Sequence, residues 1–155
     1  MTLLRPYHSS DAEALAAIYR EAARTIGSEA YGPGQVAMWA SYPENMDEFR
    51  IQLSLGATLV AEISGKAVAF GQLHPWNHVA LLYCSSPFAR NGIGSQIYWQ
   101  LEARALAAGV QEIRTEATRT SRSFFEKLGY VVVMAESPIR HGVAFERFRM
   151  VKRMN

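Results

Sequence analysis

The residues of this chain best suited to chemistry are Arg90-Asn91-Gly92-Ile93-Gly94-Ser95, which lie between an apolar run ending at Cys84 and a long helical pattern. Two glycines this close let the backbone approach a ligand with no Cβ in the way. The first turn of the following helix offers unpaired N–H groups and the positive end of the helix dipole, so the segment suits a phosphate or pyrophosphate. The alternative is a tight strand-to-helix connection with no ligand. It is not a dinucleotide fingerprint, which needs a glycine where Ile97 stands, nor a P-loop, because no Gly-Lys-Ser/Thr follows. Cys84 is the sole cysteine, which excludes an internal disulfide and a cysteine-based metal cage. A thiol inside an apolar strand, with no Cys-His-Asn signature, is usually inert. No His/Asp/Glu spacing suggests a metal site.

The elements that must hold these residues follow from the apolar periodicity. Thr2 to Tyr7 reads as an edge strand, and Ser10-Asp11-Ala12-Glu13 as a capping box opening a helix with Leu15, Ile18, Tyr19, Ala22 and Ile26 on one face. Gly32-Pro33-Gly34 interrupts the chain before helical pieces over 35–40 and 43–55. The period then changes to two: strands over 58–63 and 66–73 join through Ser64-Gly65 as a hairpin. After the turn Pro75-Trp76-Asn77, residues 78–84 read as a central strand buried on both faces. A helix over 92–108 stops at Gly109, a strand covers 110–117, a short helix covers 118–128, and Tyr130 opens another strand. Residues 143–151 alternate as one antiparallel strand. The sum is an α/β fold, a mixed central sheet with helices on both faces.

Composition bounds the function. The 155 residues predict a single domain spanning 1–155, and 49% hydrophobic with 19% charged residues places it in the globular range. A net charge of +2 argues against a general nucleic-acid or membrane-surface binder. The basic residues Arg140, Arg147, Arg149, Lys152 and Arg153 interleave with Glu146 and apolar residues, as a solvated sheet face does, and no nucleic-acid motif frames them. The lone cysteine, the early charges at Arg5 and His8 and the lack of a long apolar run predict a cytoplasmic protein with no membrane partner.

The glycine loop resembles the coenzyme A pyrophosphate loop of the GNAT acetyltransferase superfamily, and Glu116-Ala117 through Phe124-Phe125-Glu126-Lys127-Leu128-Gly129-Tyr130 is similar to a second motif of that superfamily. The resemblance covers nearly the whole chain and is nearest to the YafP-like branch, through Trp39, Leu82-Tyr83, Thr115-Glu116-Ala117 and the 140–150 tail. It implies a central strand splayed from its neighbour to admit acetyl-CoA, and transfer of an acetyl group directly to an amine of a small molecule or peptide. Coenzyme A is then expected along Leu82, Tyr83 and Cys84, over Ala89, Arg90, Asn91, Gly92, Ile93, Gly94 and Ser95, and against Thr118 and Phe125. A homodimer through the C-terminal strands is also in keeping with it.

Two departures from the family pattern stand out. Ala89 replaces the usual glutamine or arginine of the loop, with Arg90 beside it, and Phe125 replaces the tyrosine that often protonates the departing thiolate. The latter raises the alternative of a non-catalytic acyl-CoA binding or sensing module. For the base, His78 shares strand parity with Ala80, Leu82 and Cys84, corresponds in position to a glutamate used by some members, and has an ordinary pKa of about 6.5, with Glu116 and His74 as reserves. Tyr83 and Tyr130 are the candidate acids, beside solvent. Tyr31, Trp39, Tyr42, Trp76 and His74 border the expected acceptor groove, where an aromatic or amine-bearing molecule would stack.

Overall fold

The computed structural model describes residues 1–154. The elements in chain order are β1 (Thr2–Pro6), α1 (Ala12–Thr25), α2 (Pro33–Ala40), α3 (Met46–Leu53), β2 (Ala57–Ile63), β3 (Lys66–Leu73), β4 (His78–Cys84), α4 (Ile93–Ala107), β5 (Glu112–Ala117), α5 (Arg122–Lys127), β6 (Val131–Glu136), β7 (Ile139–Arg140), β8 (Val143–Ala144) and β9 (Arg147–Arg153), with short 3-10 turns between some of them. Seven strands form one sheet in the order β1-β2-β3-β4-β5-β9-β6, in which only β4 and β5 run parallel. No helix is long and apolar enough to cross a membrane among the described residues.

Alternation along the strands sends apolar side chains to both faces, and each face has its own helices. Leu15 and Ile18 of α1 and Phe49 and Leu53 of α3 pack with Val60, Phe70 and Leu81 on one face. Ile97 and Leu101 of α4 pack with Leu59, Ala69, Ile113 and Met150 on the other. Helix α4 sits close because β3 carries Gly71, where a Cβ would come within 2.7 Å of Ile97 Cγ2 and 3.0 Å of Leu82 Cδ1.

Several local expectations change in the folded chain. The capping box expected from Ser10 to Glu13 does not form. Residues Ser9–Asp11 make a 3-10 turn, and the Asp11 carboxylate instead accepts from the His8 main-chain N–H and from both Nη atoms of Arg5, each at 2.8 Å. Arg5 also donates to Glu62, so one guanidinium ties β1, β2 and the start of α1 together. The helix expected over 43–55 divides into a turn at Tyr42–Glu44 and α3, which starts where Asn45 Oδ1 accepts from the Glu48 N–H at 3.1 Å. The helix expected from Thr118 starts at Arg122, because Thr118 and Ser121 exchange main-chain-to-hydroxyl bonds that hold a turn ahead of it. The strand expected over 143–151 breaks at Phe145 and Glu146: β8 pairs only with β7, and Phe145 buries its ring against Tyr31 at a centroid distance of 4.2 Å.

Strand β4 departs furthest from its expected form. Leu73 pairs with Val79 and Gln72 with Leu81, so Ala80 is an extra residue, a β-bulge. Val79 and Leu81 are buried, but His78, Ala80 and Leu82 to Cys84 are half-buried, not covered on both faces, and beside Leu82 to Cys84 the sheet opens.

Substituting Gly71 by alanine tests the close approach of α4. The added methyl collides with Ile97, so stability should fall by about 1–3 kcal/mol, the usual cost of overpacking a filled core. A urea midpoint identical to the parent's would show that α4 can move away at no cost.

Candidate active site

Parallel pairing between β4 and β5 stops almost as soon as it begins. The register holds for His78 with Arg114 and Val79 with Thr115, and the Thr115 hydroxyl closes it by donating to the Val79 carbonyl at 2.9 Å. Beyond that point the strands part. The β5-facing edge of β4 then has no strand partner, and a cleft of about 1200 Å³ opens between the two strands. Leu82, Tyr83 and Cys84 form one wall, and Glu116 and Thr118 lie opposite.

At one end of the cleft the loop expected to hold an anion takes a defined shape. Arg90 and Gly92 both adopt left-handed backbone, with φ of 64° and 81°, and Gly92 caps α4. The first helical N–H to find a partner in the turn is that of Gln96, which donates to the Gly92 carbonyl, so those of Ile93, Gly94 and Ser95 point outward from the helix start. Ala89, Arg90, Gly92, Gly94 and Ser95 line the cleft. Asn91 does not, and the Ile93 side chain is buried in the core at 4% exposure, which leaves its main chain alone to face outward. A Cβ on Gly94 would meet nothing nearer than the Phe124 ring at 3.8 Å, so the cradle is empty of protein. Arg90 is 87% exposed, 3.8 Å from Glu29 across the mouth.

Glu21, on α1, is a supporting residue that sequence patterns did not reveal. Its carboxylate accepts from the Ser86 N–H at 2.7 Å and fixes the chain leading into the loop. Burial would push this carboxyl up, but the Ser86, Thr25 and Ser85 hydrogen bonds hold it below the usual value.

The titratable groups occupy distinct positions. His78 Nε2 lies 2.9 Å from Glu116 Oε1, and His78 Nδ1 lies 3.0 Å from the His74 carbonyl. A carbonyl only accepts, so Nδ1 carries a proton, and a second proton is shared between Nε2 and the carboxylate. Glu116 lines the cleft; His78 stands behind it. The expected parity of His78 with Ala80, Leu82 and Cys84 is corrected by the bulge, which sends Leu82 and Cys84 to the α4 face and leaves His78 on the face of Leu81 and Tyr83. Burial alone would raise the Glu116 carboxyl, but the His78 hydrogen bond and the positive field of His78, Arg147 and Arg114 hold it below the usual carboxylate value. Arg114 lies 3.7 Å away, whereas Arg119 binds Glu146.

Tyr83 is the one tyrosine in the cleft lining among the described residues; its hydroxyl accepts from Trp39 Nε1 at 3.2 Å, and burial pushes it up. Phe125 lines the cleft with 4% exposure, packed edge-on against Tyr98 and Tyr130. The Tyr130 hydroxyl is bound to that of Tyr98 at 3.1 Å, outside the cleft. Burial and the neighbouring Glu21 push the Cys84 thiol up to about 11, so it is protonated at neutral pH and is no nucleophile.

Of the aromatic residues expected at the acceptor groove, Trp39 lines the cleft. Tyr31 is structural: its hydroxyl donates to the Glu146 carbonyl at 2.6 Å and accepts from the Arg119 N–H at 2.9 Å. Those bonds fasten the segment after α1 to the β5–α5 turn and to the β8–β9 link. His74 contributes its carbonyl to His78, and Trp76 is 48% exposed outside the cleft.

A sheet with one splayed parallel junction, and an anion cradle at the helix that follows it, invites comparison with known proteins. Residues 27–152 match the acetyltransferase (GNAT) domain family. The chain belongs to the GNAT acetyltransferase family. It is an acyltransferase by that membership, and enzymes of this family take their acetyl group from acetyl-CoA. It is 25% identical over 147 residues to the uncharacterized N-acetyltransferase YafP of Escherichia coli, covering 95% of this chain and 93% of that protein. The crystal structure of a GCN5-related N-acetyltransferase from Rhodopseudomonas palustris superposes with a TM-score of 0.96 at 28% identity, over 99% of this chain and 96% of that one. The PaiA N-acetyltransferase of Thermoplasma acidophilum, solved in complex with coenzyme A, shares the fold with a TM-score of 0.78 at 18% identity over 99% of both chains.

The GNAT cleft also contains groups the sequence did not single out. Ser121, Ser123, Phe124 and Lys127 line it from the α5 side, and Ala22, Ile26 and Ala30 from the α1 side. The hydroxyl run Thr118 to Ser121 was a usable signal for the first set; nothing local marked the second, which reaches the cleft only through the path of α1 across the sheet.

The chemistry of Cys84 yields a direct check. Iodoacetamide should label the native protein slowly at pH 7.5, and the rate should climb about tenfold per pH unit until near the thiol's raised pKa. Fast labelling at neutral pH would mean a thiolate is present and would reopen the nucleophile role.

Proposed function

We propose that this protein is an N-acetyltransferase that binds acetyl-CoA in the β4–β5 cleft and transfers the acetyl group directly to the amine of a small molecule or peptide, in the cytoplasm. The observation that carries the proposal is that Glu116, bonded to His78, lines the same cleft of about 1200 Å³ as the anion cradle at the start of α4. The cradle fits the diphosphate of coenzyme A: the outward N–H groups of Ile93, Gly94 and Ser95 and the α4 dipole offer positive charge, and no side chain fills the space in front of Gly94. Because this hold is main-chain, Ala89 in place of a polar residue does not remove it. The unpaired edge of β4 at Leu82 to Cys84 takes the pantetheine arm, and Thr118 and Phe125 close the opposite side.

Acetyl-CoA supplies a thioester carbon to which the amine nitrogen bonds as the C–S bond breaks. Glu116, whose Oε1 is already bound to the proton on His78 Nε2, receives the proton of the attacking amine on the free oxygen of its carboxylate and releases it to solvent after transfer. The His74 carbonyl holds the ring in the orientation that keeps Nε2 towards Glu116. Tyr83 is the hydroxyl available to hydrogen-bond the departing sulfur. Since burial holds its pKa above that of a thiol, which is ordinarily about 8.5, full protonation of the thiolate falls to solvent. That assignment accommodates Phe125, which packs the cleft without donating. A titratable carboxylate in the cleft, backed by His78, favours transfer over a binding-only role.

The activity is tested by free-thiol release from acetyl-CoA across a panel of amines, with none above background refuting it. Gly94→Val should abolish coenzyme A binding in calorimetry while the fold persists, since Gly94 has ordinary backbone and its Cβ finds room. Unchanged affinity in the folded variant would move the diphosphate elsewhere. Glu116→Gln and His78→Ala should each lower kcat by about 100-fold or more with acetyl-CoA affinity kept. In the parent enzyme kcat should fall on acidification, as the Glu116 carboxylate, held below the usual carboxylate value, finally takes up a proton and can no longer accept the amine's. The deficit of both variants should narrow as pH approaches the acceptor's own pKa. Full turnover in both across the pH range would assign the proton to water.

A further inference from the structure

The sheet is covered unevenly. On the face opposite α4, helices α1 and α3 pack over β2, β3 and β4, and that core includes no residue of β5, β9 or β6. Ile113, Thr115 and Ala117 of β5 and Met150 of β9 are buried towards α4 and α5, so Arg114 and Glu116 of β5 and Arg147 and Arg149 of β9 all rise from the uncovered face.

The register gathers these charges around Glu116, the one of them that lines the cleft. Glu116 lies opposite Arg149 on β9, Arg114 stands 3.7 Å from the Glu116 carboxylate, and Arg147 lies opposite Glu136 on β6. Arg147 and Arg149 share that single Glu136 carboxylate, each through Nε, at 2.6 and 2.5 Å. The Nη edge of each guanidinium therefore presents further donors. Three guanidiniums thus surround two carboxylates, one of which is already engaged with His78. Arg149 remains 60% exposed and Arg114 48%, both within reach of a ligand on this face. The helix start suited to the diphosphate belongs to α4, on the other face, so these arginines are not needed by the acetyl donor.

The geometry points to an acceptor amine that itself carries an anionic group, an amino-acid-like molecule whose carboxylate is held by Arg149 with Arg114 and Arg147 while its amine meets Glu116. This deepens, and rests on, the acetyltransferase activity proposed above. A planar guanidinium fork matches a carboxylate in geometry as well as charge. The same three cations repel a polyamine, so the patch selects against polycations as well as for acids.

The test compares, with the intact enzyme and acetyl-CoA, free-thiol release from a set of α-amino acids, their methyl esters and amides, and spermidine. The amino acids as a class should give kcat/KM about tenfold or more above their esters, with KM rising as salt is added. Arg149→Met should raise KM for the acidic acceptors about tenfold and collapse their advantage over the esters, and Arg149→Lys should restore part of it. Acetyl-CoA affinity reports that each variant is folded. Esters, amides or spermidine used as well as the acids would overturn the inference and leave the transferase intact, as would an unchanged preference in folded Arg149→Met. No thiol release with any amine would overturn both.

Discussion

The early end of the β4–β5 pairing is the constraint on which the rest of this structure depends. A parallel strand pair normally continues for the length of both strands, because each abandoned residue leaves main-chain polar groups without partners. Here the bulge at Ala80 shifts the direction of β4 just past Val79, and the Thr115 hydroxyl takes the Val79 carbonyl where the ladder ends. The unpaired edge that results is costly to bury without a partner and well suited to a ligand that supplies one. An irregularity of strand pairing is thereby turned into a binding surface.

The bulge also decides which side chains meet. By adding one residue to β4 it reverses the parity of everything before it, so His78 rises on the same face as Glu116 while Leu82 and Cys84 turn towards α4. One face then concentrates protons and charge, and the other offers main-chain N–H groups and the start of α4.

Long-range polar bonds hold this arrangement open. Glu21 binds the main chain of Ser86 from across the α1 side, and Tyr31 bonds both the Glu146 carbonyl and the Arg119 N–H. Residues far apart in the chain therefore brace the two rims of the cleft, and the aromatic stack of Tyr31, Trp39 and Phe145 fills the space between them. Tyr31 serves this bracing and lies outside the cleft, so a count of aromatics in the sequence overstates the set that lines it.

By itself the sequence determined the order of the main elements, the glycine loop at the start of α4 and the family. Those features are local: apolar period, the Gly92 and Gly94 pair, and the 124–130 segment are read within a few residues of one another. It also named Glu116 and His78, though not that they form one pair. What only the tertiary structure decided was non-local. The bulge that inverts His78, the break of the last strand at Phe145, the bracing by Glu21 and Tyr31, and the gathering of Arg114, Arg147 and Arg149 about Glu116 all depend on the register between strands distant in sequence. A one-residue change of register sends a side chain to the opposite face, and no local pattern in this chain encodes that choice.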